Sequence, residues 1–238
     1  MGGIFALTGI FSVLAIFVVV YVVPAAPSLP PAQVSIREIL AHGELMRLNS
    51  GVFALHLTQM AMFVVIPSAL IRFAQLPLAE HWKIYLPVVI ASFVLMLPPI
   101  FIGEKRGKSK QVFVAAIALL LLVQIGMWLA LSQTQLHAAW LVGLLLAFFV
   151  AFNILEASQP SLVSRIAPPG SKGTALGVYN TLQALGLFCG GALGGWLTQH
   201  LGAASVFVLG SALCVVWLII AANMKNLPRR SQAQAAVV

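Results

Sequence analysis

Residues 139–162 read AWLVGLLLAFFVAFNILEASQPSL, and their only charged side chain is Glu156. An α-helix rises 1.5 Å per residue, so an apolar run of this length is what crossing a hydrocarbon core of about 30 Å requires. Six other stretches meet or approach the same length: Ile4 to Val23, Asn49 to Phe73, Trp82 to Ile102, Val112 to Leu131, Thr174 to Leu197 and Ala203 to Ala222. Polar or Pro/Gly-rich segments separate them. The chain is therefore expected to be an all-α membrane protein, a polytopic bundle of about seven transmembrane helices.

The composition agrees. Of 238 residues 61% are hydrophobic and 8% are charged, whereas soluble chains carry roughly 25% charged residues. Lipid is thus the expected medium and first partner. The formal net charge of +8 would point to nucleic acid in a soluble protein, but here it asks which side of the bilayer the bases occupy. Arg37, Arg47, Lys105, Arg106, Lys108, Lys110, Arg165, Lys172, Lys225, Arg229 and Arg230 fall in alternate loops on one side, and Arg72 and Lys83 on the other. The side with most bases is expected to be cytoplasmic, with the carboxy terminus inside and Met1 outside. Residues 1–23 form the first span, 24–47 a cytoplasmic linker with an amphipathic piece from Ile36 to Met46, 48–224 six further helices, and 225–238 a cytoplasmic tail. A cleaved signal peptide is the competing reading of the first span, but no Lys or Arg precedes the run and its apolar stretch is too long for such a core.

Polar groups inside a bilayer cost about 2.5–3.5 kcal/mol when charged, which makes each a candidate for function. Asn153, Glu156 and Gln159 stand at i, i+3 and i+6, a spacing that places them along one helical stripe. Desolvation disfavours an ionised carboxyl group, which suits a proton-binding role; the plain alternative for Glu156 is pairing with a base near the cytoplasmic end. His56 and Gln59 sit at a comparable depth in the second span, as do Asn180 and Gln183 in the sixth, so a shared polar layer is expected. A lone membrane histidine is as often a packed hydrogen-bonding residue.

The loop Gly103-Glu104-Lys105-Arg106-Gly107-Lys108-Ser109-Lys110 ends one span with an acid among bases. That acid opposes its own helix dipole and needs adjacent bases or a neighbouring helix start to stabilise it; such a loop can latch one conformation, or simply mark the positive side. Gly186 with Gly190, Gly190 with Gly194 and Gly191 with Gly195 form small-xxx-small pairs that permit close helix approach in lipid. Pro67, Pro98 and Pro99 either kink their spans or end them. Cys189 and Cys214 read as packing residues. No metal-ligand spacing, P-loop or cofactor motif is present, no nucleic-acid partner is implied, and nothing suggests an enzyme.

Phe148 to Ala157, Pro160-Ser161-Leu162, and Lys172-Gly173-Thr174-Ala175-Leu176-Gly177-Val178-Tyr179 closely resemble the major facilitator superfamily, in particular its YajR-like branch. Gly194-Gly195-Trp196 and the Glu104–Phe113 run point the same way. The resemblance lays the whole chain over the sixth to twelfth of that family's twelve helices, so that residues 1–23 resemble the sixth helix. The first five helices and a small soluble domain after the twelfth would be missing. It implies that the spans holding His56 and Glu156 line a substrate cavity. It also makes the Glu104 loop a weaker copy of a gating motif whose leading Gly is replaced by Ile100, and it leaves the glycine face without its usual partner. The expected function is part of a proton-coupled secondary transporter exporting small amphipathic or drug-like molecules across a bacterial inner membrane, not functional alone. The other half would come from a separately encoded chain or a second copy. The alternatives are a seven-helix receptor or light-driven protein, although retinal would need a lysine deep in the bilayer and every Lys here lies in a loop or at a helix end, and an inactive remnant.

Overall fold

The computed structural model describes residues 2–24, 35–133, 137–168 and 170–225. Residues 25–34 of the expected linker and 226–238 of the tail, with Arg229 and Arg230, lie outside the described residues. The chain divides into a short unit, Met1–Pro31, and a large one, Ala32–Val238. The first holds α1 (Gly2–Tyr21), an uncharged helix whose apolar part is Phe5–Tyr21.

The large unit contains α2 (Ile36–Ala41), α3 (Gly43–Ala74), a single 3-10 turn at Leu78–Glu80, α4 (Trp82–Lys105), α5 (Ser109–Leu131), α6 (Ala138–Ile166), α7 (Lys172–Leu201) and α8 (Ala204–Ala222). Local chemistry sets these boundaries. The Ser35 side chain accepts from Glu38 N–H at 3.3 Å to open α2, and His42 Nδ1 accepts from Leu45 N–H at 3.3 Å to open α3, each satisfying an orphan donor of the first turn. The α4 helix stops where Gly107 takes φ 66°. There Gly107 N–H donates to Glu104 O at 3.2 Å and Lys108 N–H to Gly103 O at 2.7 Å, the paired bonds of a glycine-terminated helix.

By length and composition, five helices among the described residues can cross a membrane: α3, α4 with the turn before it, α5, α6 and α8. The α7 helix has 30 residues but falls short in apolarity, because its glycines and its Asn, Thr and Gln side chains dilute the hydrophobic ones. Helices also outrun the apolar stretches: α3 starts at Gly43 rather than Asn49, which carries Arg47 into the helix, and α6 continues to Ile166. Pro67 lies inside α3 and Pro98 and Pro99 inside α4, so none of the three ends its helix.

The α3 helix is the axis of this unit, packing against α6, α7 and α8, with α5 bridging α6 and α8 and α4 lying on α6. Leu45, Leu48, Val52, Leu55, Met62, Ile66 and Leu70 of α3 are fully shielded. The α3–α7 seam is the closest. A Cβ on Gly186 would stand 2.6 Å from Phe53 O, one on Gly190 would strike Leu57 O, and one on Gly194 would stand 2.7 Å from Ala61 Cα. Both helices step by four residues, so backbone meets backbone at three successive turns, which is how small residues replace a hydrophobic driving force in lipid. Gly186, Gly190 and Gly194 thus find a partner on α3 of the same unit. Gly191 and Gly195 point elsewhere, with nothing within 4 Å of an added Cβ.

Candidate functional site: a polar cluster between three helices

Three of the candidate residues converge from three helices. His56 of α3 is 4% exposed at its side chain, and its Nε2 lies 3.4 Å from Glu156 Oε2 of α6. Gln183 of α7 bridges them, its Nε2 standing 2.8 Å from His56 Nε2 and 3.2 Å from Glu156 Oε1. The other ring nitrogen, His56 Nδ1, is 3.0 Å from Val52 O.

These contacts fix the protons of the neutral ring. A backbone carbonyl only accepts, so Nδ1 carries the hydrogen and Nε2 presents a lone pair. The Gln183 amide then gives one hydrogen to His56 Nε2 and the other to Glu156 Oε1. Turning the amide over would set its oxygen against a lone pair and a carboxylate, so the bridge has one favourable orientation. Among the described residues nothing donates to Glu156 Oε2, which is left buried, facing the Nε2 lone pair. Phe152 closes one side, its ring centroid 5.7 Å from that of His56 in an edge-on arrangement.

The remaining candidates do not join this cluster. Each step of three residues turns a helix by −60°, so the stripe Asn153, Glu156, Gln159 winds round α6 and its members meet different neighbours. Asn153 donates to Ser92 Oγ of α4 at 2.8 Å. Gln159 is fully buried, accepts from Tyr179 OH of α7 at 3.4 Å, and its amide nitrogen finds no acceptor. The single stripe is thus corrected to three separate ties. Gln59 is half-buried and Asn180 exposed, and neither makes a side-chain hydrogen bond among the described residues.

Of the loop residues, Lys105, Arg106, Gly107 and Lys108 are exposed. Glu104 instead reaches α6, where Arg165 donates to its carboxylate at 3.1 Å, and Ser109 Oγ lies 3.3 Å from Glu104 Oε2. Arg165 was legible only as one base among many; its pairing across 61 positions needed the fold. Lys110 leaves its own loop to donate to Ala222 O at 2.9 Å and to Met224 O. Arg47 Nη1 adds a bond to Asn223 O at 2.8 Å. Two cations therefore sit on the negative end of α8, where the helix dipole favours them. Arg72 and the Lys83–Glu80 pair lie at the other end of α3.

Such a bundle, with an imidazole, a carboxylate and an amide held between three helices and five helices long and apolar enough to cross a membrane, defines a multi-pass membrane protein. The Major Facilitator Superfamily model matches residues 2–190, and the chain belongs to that family of transporters. It is 44% identical over 194 residues to the inner membrane transport protein YajR of Escherichia coli (strain K12), covering 82% of this chain and 42% of that one. It is 28% identical over 176 residues to the multidrug resistance protein MdtH of Aeromonas salmonicida, covering 73% of this chain and 42% of MdtH. An uncharacterized transporter of Buchnera aphidicola subsp. Schizaphis graminum is 28% identical over 223 residues, 91% of this chain and 56% of its own. The chain thus spans about half the length, or less, of these relatives. A receptor-like reading falls with this membership.

Proposed function

We propose that this chain forms one wall of a proton-coupled secondary transporter that exports small amphipathic or drug-like compounds, and that its proton is held between Glu156 and His56. The carrying observation is the unbonded Glu156 Oε2 lying 3.4 Å from the lone pair of His56 Nε2. Two acceptors facing each other repel; one added proton turns the contact into a hydrogen bond from either side. If the proton settles on Nε2, the Gln183 amide must turn to offer its oxygen, loosening the α3–α6–α7 tie. Proton occupancy is thereby linked to how three helices sit together, which is what a coupled transporter needs. Export is supported by the multidrug relative, and placement in a bacterial inner membrane by the YajR relative. With the basic end inside, as the positive-inside rule directs, the Glu104–Arg165 latch and the carboxy terminus are cytoplasmic.

The cavity's other wall belongs to further helices, supplied by the rest of a longer chain, a separate chain or a second copy. These 238 residues by themselves are therefore expected to move no substrate. Proton-driven efflux of a fluorescent drug-like amine, measured in everted vesicles, tests this. The chain alone gives background signal; with helices completing the family fold, transport appears and is abolished by Glu156→Gln. Wild-type transport surviving in Glu156→Gln at full proton dependence overturns the assignment.

A further inference from the structure

At the basic end of the bundle the start of α3 and the end of α8 leave a groove of about 490 Å³, lined by Gly43, Met46, Arg47 and Ser50 on one side and by Ile219 and Asn223 on the other. The four α3 residues stand at i, i+3, i+4 and i+7, a single helical face. Gly43 presents no side chain, and nothing among the described residues lies within 4 Å of an added Cβ there. Met46 and Ile219 make the walls apolar. In a bilayer such a groove fills with hydrocarbon.

The mouth is charged. Arg47 is 39% exposed at its side chain, and its Nη1 serves both Glu44 Oε1 and Asn223 O at 2.8 Å. Its Nε and Nη2 have no partner among the described residues, which leaves three N–H donors in the planar fork that matches a phosphate. Among the described residues the acid at this mouth is Glu44, to which the Lys225 backbone N–H also donates at 3.3 Å. Arg47 and Lys110, the latter on the last carbonyls of α8, outnumber it. A phosphodiester with net negative charge suits this balance, whereas a headgroup carrying its own ammonium would meet Lys110.

We propose that this groove is a lipid site that seats one acyl chain of an anionic phospholipid, with the phosphate on Arg47. The site is separate from the proton cluster, so its test needs no transport. The purified full chain is exchanged into an equal mixture of phosphatidylglycerol and phosphatidylethanolamine, and retained lipids are counted by native mass spectrometry. The expected result is one tightly retained lipid, phosphatidylglycerol favoured about fivefold, as a surplus of basic residues at the bilayer surface implies. Arg47→Gln should bring the two lipids to parity with a lipid still bound, and Gly43→Phe, whose ring enters open space, should remove it whichever headgroup is offered. Thiol reactivity of buried Cys214 verifies that both variants are folded. Equal retention in the wild type, a preference that survives Arg47→Gln, or a bound lipid that survives Gly43→Phe would each overturn the proposal.

Discussion

Replacing Gly190 by alanine isolates the energetic weight of the α3–α7 seam. An added Cβ would stand 2.8 Å from Met60 Cβ and 2.9 Å from Leu57 Cα, besides striking the Leu57 carbonyl, where ordinary contact begins at 3.4 Å. The obstructing atoms are largely backbone, which no rotamer change can move, so α7 must retreat from α3, and overpacking of this kind costs about 1–3 kcal/mol. Gly191→Ala is the matched control. It gains the same helix propensity, up to ~1 kcal/mol, but enters open space, so propensity cancels in the comparison and only the collision remains. For a chain of this size about 1–3 kcal/mol corresponds to a melting difference of roughly 3–10 °C. The assay is thermal unfolding in detergent followed by a thiol-reactive dye, which reports exposure of Cys214, 1% exposed in α8. If Gly190→Ala and Gly191→Ala melt together, the seam is not the close backbone contact described here.

Other outcomes follow from single contacts. Ser92→Ala removes the acceptor of Asn153 on α4 and should cost about 1 kcal/mol in the same melting assay, the worth of one hydrogen bond with a half-buried donor left behind. Gly210→Ala drives a Cβ to 2.5 Å from Gln124 Oε1; a loss of about 1–2 kcal/mol is expected, and Gln124→Ala in the same chain should restore most of it, because the obstruction is a side chain. Glu104→Gln weakens the α4–α6 latch to Arg165. With Glu104 36% exposed at its side chain the stability cost should stay near or below ~1 kcal/mol, while labelling of a cysteine placed at Ser161 beside this pair should rise.

How much of this could be read from the chain follows from the range of each signal. Apolar length is local, so the helices were legible in order. Their ends were not, because Arg47 and Arg165 continue helices past the hydrocarbon and only the packed structure shows how far. The Gly186, Gly190 and Gly194 spacing announced a close approach, yet spacing cannot name the partner, and the partner proved to be α3. His56, Glu156 and Gln183 were singled out one by one as polar residues at similar depth, and three chain-distant helices bring them together. Asn153 and Gln159 share a sequence stripe with Glu156 but not its neighbours, since a drift of 60° per step is enough to aim them at α4 and α7. Ser92 and Tyr179, their actual partners, carried no signal of their own: a serine and a tyrosine in apolar helices are ordinary until an amide faces them.

The shared proton between Glu156 Oε2 and His56 Nε2 is tested most directly by infrared difference spectroscopy of the purified chain across a pH titration. A protonated-carboxyl band should appear on acidification, be absent in Glu156→Gln, and move in frequency in His56→Gln, where its imidazole neighbour is gone. A Glu156 band whose frequency is indifferent to the loss of His56, or no band that depends on Glu156 while the chain stays folded, would contradict it.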